Sequence, residues 1–343
     1  MISRDDGPLP RWLSPLTRTA AWAYGRAIAA RNHRFDAGRS VTQLPIPVIS
    51  VGNIVAGGAG KSPVARWVAR VALDSGLHPM IALRGYRSIR DVSDEAEEHR
   101  RLLPTVPVAV GADRHACVLR TLDAHPRCNL VVLDDGFQHR RLARDFDLVL
   151  VNGAADRLES ALLPHGWLRE PPSALRRASA VLVTRAAHVD AALARAVEAV
   201  HGRPPIAWCD HVWERLDLFD GVAHGSTTPV ACEWLNQRAI AVWAAVADGS
   251  AIARACEAQG ARVVHAPKLR DHTNYTPELV AELGLSARRE GATAVLATGK
   301  DWSTLAPHAS RAGLPFVIPA LSIRVHEGAD ALRFALRRVF AQR

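Results

Sequence analysis

A glycine-rich turn that ends in a lysine and a hydroxyl is the first pattern in the sequence that can do chemistry. The apolar run around Ile46–Val51 reads as a buried strand. It leads through Gly52, Asn53 and Ile54 into Val55, Ala56, Gly57, Gly58, Ala59 and Gly60, and Lys61 and Ser62 then open a helix through Val64–Leu73. Glycines let backbone N–H groups curl around phosphate oxygens, and the helix start adds the positive end of its dipole. Lys61 can reach the outer phosphates and the Ser62 hydroxyl can ligate Mg²⁺. The strict phosphate-loop spacing would put its first glycine at Val55, so the match is degenerate there.

A second pattern supplies the acid such a loop needs. Asn129-Leu-Val-Val-Leu-Asp134-Asp135-Gly136 runs four apolar residues into two carboxylates. At the carboxyl edge of a parallel sheet those acids face the place where ligands bind in open α/β folds. Together the two patterns point to a magnesium-bound nucleoside triphosphate.

The elements that must position these residues alternate. β-branched runs at 46–51, 107–110, 130–133, 148–151 and 181–184 have helical patterns between several of them. This predicts a mostly parallel sheet with helices on both faces. Residues 206–236 read as a strand-rich connector. A second, smaller α/β lobe follows over 237–343, with strands at 239–246, 262–265, 293–298 and 315–318, helices at 250–259 and 277–289, and a closing basic helix at 328–340. Ahead of the nucleotide-binding domain at 41–205, residues 1–40 carry an amphipathic helix. Ser14 and Pro15 start it, Leu16, Ala20, Ala23, Tyr24 and Ala27 form its stripe, and Trp12 and Trp22 add amphipathic rings.

Composition narrows the class. The 343 residues are 48% hydrophobic and 22% charged, which suits folded domains and excludes a small stapled module. Five scattered cysteines form no CxxC pair, so a zinc site or a disulfide framework is not expected and a reducing compartment fits. No apolar run is long enough to span a bilayer, and Asp5 and Asp6 spoil a secretory signal, so a cytoplasmic location is expected. The net charge of +9 comes almost wholly from arginine, because only Lys61, Lys268 and Lys300 among the 43 basic residues are lysines. Lysine is a compact point charge that arginine does not replace, which draws attention to Lys61 and Lys300 within motifs. The basic charge is dispersed with no aromatic-plus-basic motif, so nucleic acid is not expected. On the residues alone a kinase, a nucleotide-switch ATPase that binds a membrane or protein partner, and an ATP-dependent carboxylate ligase all remain open.

Val51-Gly-Asn53, the loop Gly57–Pro63, Arg84-Gly-Tyr86, Gly111-Ala-Asp-Arg114 and above all Asp134-Asp-Gly-Phe-Gln-His139 resemble the tetraacyldisaccharide 4′-kinase family. Leu162–Pro171, Asp271-His272 and Thr298-Gly-Lys-Asp301 continue the resemblance in the family's order. The resemblance implies a P-loop kinase-like fold that uses ATP and Mg²⁺. It implies transfer of the γ-phosphate to the 4′-hydroxyl of a lipid-linked disaccharide 1-phosphate, at the cytoplasmic face of the inner membrane. Carried onto this chain, Lys61 stabilises the transferring group, and Ser62, Asp134 and Asp135 bind the metal with Glu170 as a further acid. The family's Gly-Asp-Glu-Pro string corresponds to Ser93-Asp94-Glu95-Ala96, which makes Asp94 the base and His272 its orienting partner. Both residues flanking Asp94-Glu95 depart from that string, and on residue types alone Asp94 and Glu95 equally read as a solvated acidic face with Glu97 and Glu98. Arg84, Tyr86, Arg114, His139 and Arg169 are the implied contacts to substrate or nucleotide. With a lipid substrate, the N-terminal helix is expected to lie on the membrane surface.

Overall fold

The computed structural model describes residues 8–9, 13–85, 94–155, 158–220, 227–246, 248–270 and 273–341. The chain divides into two compact units, Met1–His211 with Ile323–Arg343 and Val212–Ser322.

The first unit begins with α1 (Ser14–Asp36). It continues through β1 (Val48–Asn53), α2 (Lys61–Asp74), β2 (Pro79–Leu83), α3 (Asp94–Leu102), β3 (Val108–Val110), α4 (Arg114–Ala124), β4 (Leu130–Asp134), β5 (Phe146–Asn152), β6 (Ala180–Thr184) and α5 (Ala191–His201) to the first part of β7 (Ala207–Phe219). Its strands lie in the order β3-β2-β4-β1-β5-β6-β7, and every neighbouring pair is parallel. Period-two alternation sends consecutive residues to opposite faces. Ile49 and Val51 of β1 pack with Val64, Val68 and Val71 of α2. On the other face Val48 packs with Cys117 and Val118 of α4, and Val181 and Val183 of β6 pack with Leu193 and Val197 of α5. Burial on both faces is why these strands read as continuous apolar runs.

The second unit takes the rest of β7 and adds β8 (Thr228–Val230), β9 (Ala239–Trp243), α6 (Gly249–Ala258), β10 (Arg262–His265), α7 (Pro277–Arg289), β11 (Ala294–Ala297), α8 (Gly299–Leu305) and the first part of β12 (Phe316–Glu327). Its parallel strands run β10-β9-β11-β12, and β8 pairs antiparallel with β7. Trp243, Tyr275 and Phe316 are its largest fully buried side chains.

The structure corrects three sequence expectations here. The second lobe does not extend to residue 343, because β12 runs on to Glu327 and α9 (Ala329–Phe340) belongs to the first unit. Leu332, Leu336 and Val339 recur at helical spacing and join the same apolar cluster as α2. Strand β2 also lies at 79–83, a position that the sequence reading had not marked. In α1, the residues packed down are Thr17 and Ala21, with Tyr24, Gly25 and Ile28 half-buried beside them. Ser14 is the first residue of the helix, and its carbonyl accepts from the Thr17 hydroxyl.

Replacing the fully buried Leu336 by alanine should lower the stability of the first unit by about 2–5 kcal/mol, the usual cost of truncating a core leucine. Urea unfolding that moved by less than about 0.5 kcal/mol would show that α9 is not part of this core.

Candidate active site

The phosphate-loop residues sit between β1 and α2. Gly57 has a φ of 111° and Gly60, which caps α2, a φ of 71°, both in the left-handed region that only glycine occupies without strain. The loop is tied down from two sides. Ala56 donates its N–H to the Trp167 carbonyl at 2.7 Å, and the Thr184 hydroxyl donates to the Ala59 carbonyl at 3.0 Å. The His211 imidazole lies directly over Gly60, so any Cβ there would collide with it. Arg185, itself at a φ of 53°, reaches to the space over Gly58 from the end of β6.

The acidic turn is brought against this loop by strand pairing. β4 lies beside β1 with Val51 opposite Asp134, so the apolar run of β4 ends level with the start of the loop. The chain then folds back over β1, and Gly136 donates its N–H to the Val51 carbonyl at 3.0 Å. The crossing is tight. A Cβ on Gly136 would lie 2.6 Å from Ser50 Oγ, and one on Gly52 would lie 2.6 Å from Phe137 Cβ. Asp135 takes a φ of 54°, which aspartate tolerates better than most residues.

The resulting geometry joins the two motifs. Lys61 Nζ lies 3.6 Å from Asp135 Oδ1, and Arg169 Nη1 donates to both oxygens of the same carboxylate at 2.9 and 3.1 Å. Asp134 is buried. Burial opposes its ionisation, but hydrogen bonds from His99 and Ser62 and the charge of Lys61 outweigh that and hold its carboxyl below the usual range. Asp134 Oδ1 has no hydrogen-bond partner and is shut off from solvent.

Helix α3 adds a third acid. Its first residue, Asp94, is half-buried at the helix start, and the next, Glu95, faces the pair. Partial burial and then the charges of Asp134 and Asp135 push the Glu95 carboxyl up to about 7 against the pull of Lys61, although part of its surface reaches solvent. Arg66, buried on α2, holds α3 in place through Glu98 at 3.4 Å. Glu95 and Glu97 are exposed at the start of α3, and the charges of Asp134 and Asp135 acting on Glu95 bring that end of the helix close to the acidic turn. His99, whose Nε2 lies 3.0 Å from Asp134 Oδ2, is a neighbour of the acidic turn that the sequence reading passed over. The signal for His99 was its place on the buried stripe Ala96, His99, Leu102.

A divalent cation fits this donor set. Among the described residues no group of three or more His, Cys, Asp or Glu forms a complete cage. Mg²⁺ rarely needs one, because it keeps waters and takes phosphate oxygens alongside one or two carboxylates. The partnerless Asp134 Oδ1 and the Ser62 hydroxyl are what such an ion would satisfy.

Other expected residues take different places. Glu170 is fully buried, and its oxygens are taken by Arg177 at 2.7 Å, Asn32 of α1 at 2.7 Å and Gln138 at 3.0 Å. Its carboxylate is committed to joining α1 to the Gln138 turn and is not presented to a cation. Arg114 is buried and donates to the Asp134 and Asp135 carbonyls at 3.4 and 3.2 Å, which makes it a strut of the acidic turn instead of a surface contact. Arg169 is spent on Asp135. Burial and the surrounding Arg114, Arg144 and Arg141 push the His139 imidazole down to about 4, so it is neutral. Arg84 follows β2 and is exposed. Tyr86 and His272 lie outside the described residues, as do Asp271 and Trp12.

In the second unit, Thr298 caps α8 by accepting from the Asp301 N–H at 3.2 Å, and Lys300 sits in the first turn. Asp301 is buried and accepts from the Ala245 N–H at 3.2 Å and from the Thr298 hydroxyl at 2.5 Å. Lys268 lies in an irregular stretch after β10.

Gly60→Ala should lose nucleotide binding and cost at least about 1–2 kcal/mol, the left-handed penalty, with the displacement of His211 added. A melting temperature and a fluorescent ATP analogue read both effects. Burial pushes His211 from 6.5 down to about 4, so the unfolded chain takes up protons first. Stability is then fully present above pH ~6.5 and is lost as pH falls toward 4, and His211→Gln should flatten part of that slope in thermal scans.

The sequence profile of tetraacyldisaccharide-1-P 4′-kinase matches residues 12–340. The tetraacyldisaccharide 4′-kinase of Geobacter metallireducens is 33% identical over 329 residues, covering 90% of this chain and 93% of that protein. That of Anaeromyxobacter dehalogenans is 32% identical over 356 residues, covering 96% and 92%. A crystal structure of LpxK from Aquifex aeolicus in complex with ATP superposes with a TM-score of 0.71 at 26% identity, over 96% of this chain and 98% of that one. With the family profile matching residues 12–340 and relatives about one-third identical over most of both chains, the chain belongs to the tetraacyldisaccharide-1-P 4′-kinase family.

Proposed function

We propose that this protein transfers the γ-phosphoryl group of ATP to the 4′-hydroxyl of tetraacyldisaccharide 1-phosphate. The observation that carries the reading is Lys61 lying 3.6 Å from Asp135, with Ser62 against Asp134 beside it. In this reading the loop from Val55 to Gly60 cradles the triphosphate with backbone N–H groups, and the start of α2 adds its dipole. Lys61 follows the charge that develops on the transferring group. Ser62, Asp134 and Asp135 would hold Mg²⁺, which when bound neutralises phosphate charge.

Transfer forms a bond between the sugar oxygen and the γ-phosphorus and breaks the bond from that phosphorus to the bridging oxygen, leaving ADP. The hydroxyl proton needs an acceptor late in that step. Asp94, at the start of α3 and one residue before Glu95, is the group we assign to it. Arg169 and Arg114 hold the acidic turn rigid, so the ordering cost is met on folding instead of on binding.

Helix α1 is the surface that meets the membrane in this reading. Leu16 and Trp22 are 70% and 68% exposed, and Ala20, Ala23 and Ala27 lie open beside them. Arg26 stacks over Trp22 at 5.6 Å, and Arg18 adds charge for an anionic surface. Among the described residues no helix is long and apolar enough to cross a bilayer. In this reading contact is with the cytoplasmic surface of the inner membrane, where the lipid substrate resides.

γ-Labelled ATP, Mg²⁺ and tetraacyldisaccharide 1-phosphate should yield labelled lipid, whereas free phosphate with no labelled lipid would reject the kinase reading. Asp94→Asn should lower transfer by about 10²–10⁴-fold with ATP affinity little changed, because the lost group is a proton acceptor and not a phosphate contact. Lys61→Ala should abolish most transfer. Leu16→Ser with Trp22→Ser should reduce co-sedimentation with anionic phospholipid vesicles and leave ATP binding intact, and equal sedimentation would remove α1 from the membrane contact.

A further inference from the structure

The site contains a histidine whose burial packing alone does not explain. His99 is completely buried on α3, on the stripe that otherwise holds Ala96 and Leu102. Its Nε2 lies 3.0 Å from Asp134 Oδ2, and its Nδ1 is buried with no hydrogen-bond partner. Leaving a buried polar atom unpaired costs stability. Leucine at this position would fill the same stripe without that penalty. What leucine could not do is donate to Asp134.

That donation has a directional result. Asp134 presents two oxygens in a pocket closed to water. His99 occupies Oδ2, while Oδ1 remains buried and without a partner. Turning the carboxylate would forfeit the His99 bond to Oδ2, so that bond restrains its rotation beside the contact from Ser62. The donor is itself held, because α3 is pinned to α2 by Arg66 and Glu98, and α2 is the helix that carries Lys61 and Ser62.

We propose that His99 is a positioning residue that locks the Asp134 carboxylate so that Oδ1 alone is turned toward the divalent cation of the nucleotide complex. The inference rests on the reading of Asp134 as a cation ligand. Groups of this kind, which orient a ligand without touching the metal, typically change metal affinity about 10- to 100-fold when removed.

The test uses the full-length protein with Mn²⁺ as the probe, and Mn²⁺ binding is measured by paramagnetic resonance in the presence of a non-hydrolysable ATP analogue. In His99→Gln the amide nitrogen takes the place of Nε2, whereas in His99→Asn it falls short and in His99→Leu it is missing. The expected result is Mn²⁺ affinity weakened about tenfold or more in the Asn and Leu variants and largely retained in the Gln variant. Metal-free binding of the analogue should stay unchanged in all three. If the Leu variant does not fold, the Asn and Gln pair carries the comparison. Equal Mn²⁺ affinity in all variants overturns the proposal even where melting temperatures fall, because His99 would then only pack. A Gln variant as weak as the Asn variant overturns it too, because the donor at Nε2 would not be what matters. Asp134→Asn separates the two readings. If it loses Mn²⁺ while the His99 variants do not, only the role of His99 fails, and if it keeps Mn²⁺, the reading of Asp134 fails first and the role of His99 with it.

Discussion

Two aspartates side by side at the end of a buried strand repel each other, and the architecture around them answers that repulsion. Like charges a few ångströms apart in a poorly screened setting interact by several kcal/mol, roughly 4 kcal/mol at 4 Å for an effective dielectric of 20. Asp135 is held by Lys61 and Arg169, and Asp134 by His99 and Ser62. These groups come from three different pieces of chain: the start of α2, the Leu162–Pro171 stretch and the middle of α3. The acids therefore organise the fold around them as much as they are organised by it. The arrangement still leaves Asp134 Oδ1 buried without a hydrogen-bond partner, which a cation arriving with a polyanion would satisfy.

Much of this was legible in the sequence because it is local. The strand, glycines, lysine and serine of residues 48–62 are contiguous, and so are the apolar run and acids of 130–135, so period and turn chemistry located both. Their meeting followed from the rule that ligands gather at the carboxyl edge of parallel strands. The roles of single charged residues were not legible, because they depend on partners far away in sequence. Arg114 and Glu170 looked like ligand contacts by neighbourhood, and only the fold shows one clasping backbone carbonyls and the other enclosed by Asn32, Gln138 and Arg177. β2 escaped notice since its five residues open with a proline, and α9 was assigned to the wrong unit because a helix does not disclose which core its apolar stripe will meet. The packed face of α1 was misread for a related reason. Thr17 and Gly25 are not apolar, yet they are small enough to let the helix approach closely, as the 2.9 Å gap from a Cβ at Gly25 to Leu162 indicates.

Helix α1 is tied to the site by hydrogen bonds as well as by packing. The Tyr24 hydroxyl donates to the Arg169 carbonyl at 2.8 Å and Asn32 donates to Glu170 at 2.7 Å, while Arg140 pairs with Asp36 at 2.6 Å. Arg169 in turn grips Asp135. Through Tyr24 and Arg169 the helix with the exposed Leu16 and Trp22 is thus joined to a carboxylate of the acidic turn. The Thr17 hydroxyl, 3.0 Å from His165 Nδ1, anchors the opposite end of the helix to the same segment of chain.

The boundary between the two units falls inside β7 and again inside β12, so the nucleotide-holding unit is assembled from stretches separated by 111 residues of the other one. Leu332, Leu336 and Val339 reach their apolar cluster only after all of that intervening chain has been made. During synthesis on the ribosome, the sheet that carries the phosphate loop must therefore wait with one flank of α2 uncovered. Vectorial folding would complete the inserted unit first. The catalytic half then closes only once α9 has emerged, and translation products that stop short of α9 would expose a sticky helix surface that a chaperone or protease can recognise.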